Sequence, residues 1–252
     1  MEQITVGFAF CGSFCTLHQA MAALEATKAR FDHVIPIVSQ TVADTDTRFG
    51  PAHEFMREME RICDHRVITT VKEAEPIGPK ALLDALVVCP CTGNTLAKLA
   101  NGVTDTSVTM AAKAHLRNGR PLILAPSTND GLAAAAGNIG TLLARRNVYF
   151  VPFRQDDPEG KPTSLVADFS LVAETVKLAL EGRQLQPVLL GPKYHRRRSF
   201  RLEAPAFAYG CAVGGESSEG ALSAVLRDKP RETVTATRAA SSSQAPQAMG
   251  KA

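Results

Sequence analysis

Over the first 190 residues, short apolar runs alternate with longer segments in which apolar residues recur every three or four positions. The short runs are rich in β-branched residues, and those at 85–88 and 122–125 contain no polar residue. Uninterrupted apolar runs of this length are typical of strands that are covered on both faces. The pattern predicts strands at residues 4–8, 34–38, 85–88, 122–125 and 148–151.

The periodic segments predict helices between and after these strands. They lie at about residues 16–28, 52–63, 92–100, 108–117, 131–146 and 168–180. Repeated strand–helix–strand units with short connections imply that the strands run parallel. We therefore expect an α/β fold of Rossmann-like type, a three-layer, doubly wound parallel sheet with helices on both faces.

The alternation stops after residue 190. Residues 191–252 are rich in Ala, Ser, Gly and Arg, and they show no sustained period of a strand or a helix. A segment without an apolar stripe buries too little surface to offset the entropy lost on ordering. The sequence thus predicts one domain at 1–190 and a low-complexity, disordered C-terminal tail at 191–252.

Charge is distributed unevenly along the chain. Residues 191–252 contain 10 Lys/Arg and 5 Asp/Glu, a net +5, whereas the whole chain carries +3, so the first 190 residues sum to −2. Three consecutive arginines at 196–198 could contact RNA, but short basic runs in tails are usually solvated. We therefore predict no nucleic-acid partner.

The sequence also bears on location and metal content. It has no apolar run of about 18 residues and no basic-then-apolar leader at its start, so we expect a cytoplasmic protein without a membrane partner. Six cysteines are too few for a disulfide scaffold in a chain of this length. Cys89 and Cys91 are separated by one residue rather than two, and we predict no metal site.

Small polar residues follow the predicted strands, at the edge where open parallel sheets bind ligands. After the first strand, Gly12 permits close approach of the backbone, and Ser13 and Thr16 add hydroxyls at a helix start, where N–H groups attract phosphate. After the second strand, Ser39 offers another hydroxyl. Ordinary helix capping is the alternative explanation for these residue types.

Two further strand ends have the same character, and a longer loop adds ionisable groups. The candidate binding residues at these two strand ends are Thr92, Gly93, Asn94, Thr95, Ser127 and Asn129. In the loop after the second strand, Arg48 and His53 are candidates for binding an anion and transferring a proton. An exposed loop followed by a helix start is the alternative interpretation of that pair.

Residues 90–95, Pro-Cys-Thr-Gly-Asn-Thr, together with Lys98, Ala100, Gly102 and Asp105, resemble the flavin-binding segment of the flavoprotein family of cysteine-decarboxylase-like proteins. Further similar segments extend the resemblance over residues 3–190; they lie at 74–80, 110–118, 127–132 and 147–153. The resemblance implies a homo-oligomeric protein that holds flavin mononucleotide (FMN), with Ser13, Ser39 and the turn at 92–95 around it.

Within this family, the resemblance is closest to a branch that acts on a small dicarboxylate beside a dehydrogenase-like partner subunit. It implies that NAD(P) binds to the partner and not to this chain, which lacks the G-x-G-x-x-G fingerprint. Two substrate carboxylates call for fixed cations. The candidates are Arg48, Lys80, Lys98 and Lys113. For proton transfer the candidates are His53 and His115, of which we expect His115 to be structural.

The sequence departs from the decarboxylase branch at two positions. That branch carries a catalytic His eight residues before the Asp that precedes the third strand, and counting back from Asp84 gives Pro76. It also carries Pro-x-Met-Asn where this chain has Pro-Ser-Thr-Asn at 126–129. We therefore disfavour decarboxylation of a thiol substrate. Two alternatives stay open, a stand-alone FMN-dependent decarboxylase or oxidoreductase and a non-catalytic flavin- or partner-binding module.

Overall fold

The computed structural model of the chain describes residues 3–191. At its centre five parallel strands lie in the order β2-β1-β3-β4-β5. These strands are β1 (Thr5–Phe10), β2 (His33–Val38), β3 (Ala85–Cys91), β4 (Leu122–Thr128) and β5 (Val148–Phe150). The order reverses between β1 and β3, which is the position where doubly wound sheets bind ligands. The predicted α/β fold with a doubly wound sheet is confirmed.

Eight helices flank the sheet in the described residues. They are α1 (Leu17–Lys28), α2 (Gln40–Asp44), α3 (Ala52–Cys63), α4 (Val71–Ala74), α5 (Gly93–Asn101), α6 (Ser107–Leu116), α7 (Ala136–Leu143) and α8 (Val172–Leu180). One group comprises α1 with its neighbours α3 and α8, and the other comprises α5 with its neighbours α6 and α7. The central strands lie between helices, and all seven residues of β3 are buried.

The sheet is not wholly parallel, which corrects the prediction. Two short strands, β6 (Phe153–Arg154) and β7 (Leu165–Ala167), pair antiparallel with each other, and β7 pairs antiparallel with the last two residues of β4. The sequence did not indicate them because strands of two and three residues show no measurable period. The connection between them is polar, and its sequence predicts only a loop.

The helix predicted at 131–146 is shorter than expected and spans only Ala136–Leu143. The preceding residues form a turn in which the backbone N–H groups of Ala133 and Ala135 both donate to the carbonyl of Asp130. Gly137 and Gly140 weaken helix formation, and Asn147 has a positive φ of 61° just beyond the helix. Short 3-10 turns likewise replace the first residues of the helices predicted at 16–28 and 168–180.

The predicted tail lies outside the described residues, apart from Gly191, so its boundary and its disorder remain predictions. Within residues 3–191, no helix combines the length and the apolar character needed to cross a membrane.

His115 on α6 is a buried titratable group in the packing of this fold. Its side chain is fully buried, and its Nε2 lies 2.9 Å from the carbonyl oxygen of Pro121, to which the neutral ring donates. Nδ1 has no hydrogen-bond partner among the described residues. Burial lowers the pKa of His115 to about 4, although the contact with Pro121 opposes the shift. The ring is therefore neutral in the folded protein at pH 7.

We predict that acid destabilises the fold through His115. The unfolded chain binds a proton at His115 below pH 6.5, whereas the folded chain accepts it only near pH 4. The free energy of unfolding therefore decreases as the pH is lowered from 6.5 to 4, by about 3 kcal/mol in total from this group. Urea unfolding of wild type and His115→Gln at pH 7, 5.5 and 4.5 measures the effect. Gln can still donate to Pro121 but does not titrate. An equal loss of stability in both proteins would contradict the prediction, and His33→Gln at an exposed position is the control.

Candidate functional site

The carboxyl ends of β1, β3 and β4 meet at the strand-order reversal and border a pocket of about 310 Å³. The connection between β6 and β7 closes its far side. Most of the binding residues predicted from the sequence line this pocket; they are Gly12, Ser13, Thr92, Gly93, Ser127 and Asn129. The parallel sheet thus brings together residues that are more than 100 positions apart in the sequence.

Three hydroxyl groups form a cluster between the ends of β1 and β4. The Oγ atoms of Ser13 and Ser127 lie 2.9 Å apart, and Thr16 Oγ1 lies 3.0 Å from Ser13 Oγ and 3.2 Å from Ser127 Oγ. Thr16 also donates to the backbone carbonyl of Ser13 at 3.0 Å. A hydroxyl rotates to suit its partner, so this cluster can present donors to an anion in the pocket.

Ser39, at the end of β2, carries a buried hydroxyl without a hydrogen-bond partner among the described residues. Its backbone N–H donates to Phe10 at 3.0 Å, which fixes the end of β2 against β1. The residue precedes α2 as its N-cap, but its side chain makes no capping bond. A buried hydroxyl left unpaired costs about 1–3 kcal/mol, so each such group calls for an explanation. Ser39 is not among the residues lining the pocket.

The start of α5 packs closely against the end of β4. A Cβ atom on Gly93 would lie 2.6 Å from Thr128 Oγ1 and 2.7 Å from Asp130 Oδ1, so any other residue here would have to displace these two side chains. Thr92 caps the helix by accepting from the N–H of Thr95 at 3.3 Å. The hydroxyl of Thr95 in turn donates to the buried Sγ of Cys11 at 3.2 Å, so it serves packing, and Asn94 is exposed on the first turn.

The structure does not bring the predicted catalytic pair to the pocket. Arg48 is exposed and lies over the ring of Phe49, 4.9 Å from its centroid, and His53 is exposed on the first turn of α3. Phe49 borders a separate groove between α1 and α3, together with His18, whose Nε2 lies 3.3 Å from the Phe49 carbonyl. Neither Arg48 nor His53 lines the strand-end pocket, and their catalytic role stays a prediction.

Two charged residues of the pocket were not predicted from the sequence. Of the described residues that line it, only Asp156 and Lys161 are charged, and both belong to the connection between β6 and β7. None of the cations named from the sequence lines it; Lys98 instead pairs with Asp105 at 2.8 Å and, with Lys113, borders a separate cavity of about 250 Å³. The sequence held no signal for Lys161, since its connection follows strands too short to be recognised.

Comparison with known proteins identifies the family. A family model described as flavoprotein matches residues 3–158. The chain is 42% identical to the second subunit of dipicolinate synthase of Bacillus subtilis over 185 residues, which cover 73% of this chain and 92% of that protein. The chain belongs to the flavoprotein family.

Two further comparisons agree with this assignment. The crystal structure of the second subunit of dipicolinate synthase from Bacillus halodurans superposes on this flavoprotein with a TM-score of 0.69 at 43% identity, covering 76% of this chain and 100% of that one. A segment of 45 residues is 42% identical to flavin prenyltransferase UbiX of Thermoplasma acidophilum, but it covers only 18% of this chain and 25% of that protein. The first comparison therefore supports the fold of the whole domain, whereas the second is a similarity of one short segment.

The thiols of this flavoprotein differ sharply in their surroundings. Burial raises the pKa of Cys11 to about 11 and that of Cys63 to about 12, and it raises the pKa values of Cys89 and Cys91 well above the usual range. Cys15 is exposed and lines the pocket. Because the thiolate is the reactive form, the buried thiols are inert, and among the cysteines of residues 3–191 Cys15 is the exposed one.

We predict that Cys15→Ser removes one fast-reacting thiol from the native protein at pH 8. A disulfide reagent that releases a coloured thiolate measures the number and the rates of reacting groups. Thiols common to both proteins cancel in the comparison, and Cys63→Ser is the control that should leave the fast phase unchanged. A fast phase of equal amplitude in wild type and Cys15→Ser would contradict the assignment of the accessible thiol.

Proposed function

We propose that this flavoprotein is the second subunit of a dipicolinate synthase, working with a dehydrogenase-like partner subunit in the mother-cell cytoplasm of a sporulating bacterium. The observation that carries the proposal is the similarity to the second subunit of the Bacillus subtilis synthase, at 42% identity over 92% of that protein. Similarity over nearly the full length, rather than over a binding motif, supports a shared role. The first alternative from the sequence, a stand-alone decarboxylase, lacks such support.

The proposed reaction converts a hydroxy-tetrahydrodipicolinate into dipicolinate, pyridine-2,6-dicarboxylate. The ring loses one molecule of water and two hydrogens and becomes aromatic. Dehydration needs a proton donor and a proton acceptor, and removal of two hydrogens needs a two-electron acceptor. FMN, when bound to this chain, supplies such an acceptor, and NAD(P) on the partner subunit is the second one in the proposed assembly.

The polar groups at the ends of β1, β2, β3 and β4 fit a phosphate-bearing flavin. The buried Ser39 hydroxyl without a partner is the kind of group that a ligand oxygen would satisfy. Ser13, Thr16 and Ser127 offer clustered hydroxyls, and the first N–H groups of α5 have no partner within the helix. In our proposal these groups hold the phosphate, while Thr92, Gly93 and Asn129 line the remainder of the flavin site.

Arg48 and His53 remain proposed candidates for binding an anion and transferring a proton. Both are exposed near the groove between α1 and α3 and not at the strand-end pocket. A catalytic role for either residue would require a substrate held there between this chain and another one, which is a different place from the strand-end pocket. This requirement agrees with the proposal that the chain is inactive without its dehydrogenase-like partner.

We also propose that the chain forms a homo-oligomer. Leu132 and Leu143 are exposed large apolar side chains, 53% and 43% accessible, on either side of the exposed turns of α7. Between them, Gly137 and Gly140 leave open space where side chains would stand. No charged residue lies between positions 131 and 144, so this surface is one that a second copy could cover at little desolvation cost.

We expect Ser39→Ala to weaken FMN binding by about tenfold, because one hydrogen bond to a charged group contributes about 1.5 kcal/mol. Titration of FMN with the purified protein, followed by quenching of flavin fluorescence, gives the dissociation constants. Thr45→Ala, which deletes an exposed hydroxyl in the loop after α2, is the control and should bind as wild type does. Equal affinities of wild type and Ser39→Ala would remove Ser39 from the flavin site.

We expect dipicolinate to form only when this chain and its dehydrogenase-like partner are both present. Its formation from the hydroxylated precursor is followed by ultraviolet absorbance with the partner on its own, with this chain on its own and with the pair. If the partner on its own turned over as fast as the pair, this chain would be a non-catalytic binding module. Release of CO2 from a cysteinyl substrate by this chain on its own would support the decarboxylase alternative instead.

A further inference from the structure

The charge in the strand-end pocket comes from a loose ion pair. Lys161 Nζ lies 3.6 Å from Asp156 Oδ2, and the two side chains are 56% and 34% exposed. This distance exceeds that of a good charge-assisted hydrogen bond, which is about 2.7–2.9 Å. An ammonium group has three donors, so Lys161 keeps most of its capacity for another oxygen ligand.

The backbone around Lys161 is nevertheless fixed. Its N–H donates to the carbonyl of Asp157 at 2.7 Å, and its own carbonyl accepts from the N–H of Ser164 at 3.0 Å. Thr163 ties the segment to the end of β4, since its hydroxyl donates to the carbonyl of Asn129 at 2.6 Å and its carbonyl accepts from Leu132 at 2.9 Å. The lysine is thus anchored beside the pocket at the same strand end that carries Ser127.

The charged groups near Lys161 do not compete with it for an anionic ligand. Arg154 and Asp168, which border the adjoining groove along α1, pair with each other at 2.8 Å and are 16% and 25% exposed. Partial burial works to raise the pKa of Asp156, but hydrogen bonding from Ser164 and the backbone, together with Lys161, outweighs it and lowers the pKa. Asp156 therefore stays ionised and holds the ammonium loosely towards the pocket.

We infer that Lys161 binds a carboxylate of a small dicarboxylate ligand in this pocket, and that Asp156 is the placeholder that the carboxylate displaces. The inference rests on the proposed function, since it names how that substrate class is recognised. Hydroxyl and backbone N–H groups make up the other hydrogen-bond donors at the strand ends. A dianionic ligand needs at least one full positive charge, and Lys161 is the cation that lines this pocket among residues 3–191.

Substitutions at the two members of the pair should act in opposite directions on dipicolinate binding. Calorimetric titration of the full-length, FMN-supplemented protein with dipicolinate at low salt measures the affinity. We expect Lys161→Gln to weaken binding by about tenfold and Lys161→Arg to stay within about threefold of wild type. Asp156→Asn should tighten binding by about threefold, because it removes a competing and repelling carboxylate. Lys72→Gln, at an exposed lysine of α4, is the matched control.

The outcomes separate this inference from the proposed function. If wild type binds dipicolinate and Lys161→Gln binds it equally well, the role of Lys161 is overturned while the function stands. If wild type binds no dipicolinate, the inference fails, and the proposed function is then decided by dipicolinate formation with the partner subunit. FMN affinity, measured separately by fluorescence, should be the same in all variants. A parallel loss of FMN binding in Lys161→Gln would overturn the inference by making Lys161 a flavin-phosphate ligand.

Discussion

All seven residues of β3 are buried between two layers of helices, and the same holds for all but the last residue of β4. Parallel strands are joined by crossover helices, which cover both faces of the sheet, and the carboxyl ends of these strands then meet at one edge of the sheet. The chain places its polar groups at or just beyond that edge, as with Ser127 at the end of β4, because a polar side chain in the middle of these strands would be buried without partners. The position of the pocket therefore follows from burial of the central strands.

The polar groups at the strand ends differ in how many hydrogen-bond partners they already have. Ser13, Thr16 and Ser127 hydrogen-bond to one another and can rearrange around a ligand, whereas the Ser39 hydroxyl has no partner to give up among the described residues. A ligand oxygen near Ser39 would remove an existing penalty rather than replace an existing bond. Close packing at Gly93 keeps the start of α5 against β4, which places the first backbone N–H groups of this helix beside the pocket.

The sequence predicts the parts of this arrangement that depend on long apolar runs. The five parallel strands follow from the apolar runs. Nine residues were named as cofactor ligands because they follow these strands, and six of the nine line the pocket. The remaining features depend on tertiary contacts without a local pattern. No local pattern in the sequence distinguishes Lys161 from Lys98 as a pocket residue. Lys98 lies on a helix and pairs with Asp105. Lys161 reaches the pocket because β7 pairs with β4 and the very short β6 pairs with β7. Strands this short show no alternation of apolar and polar residues from which they could be predicted.

Two kinds of donor therefore meet in one small pocket. The hydroxyls and backbone N–H groups at the ends of β1, β3 and β4 are neutral dipoles fixed by the sheet, and they suit a phosphate that stays bound. Lys161 is a full charge on a flexible side chain, partly exposed and loosely paired, and it suits an anion that exchanges at every turnover. Dipole donors lose little of their strength in salt, whereas an exposed charge is screened. In the proposed assembly the two anions therefore rely on different donors, so that one ligand can stay bound while the other is released.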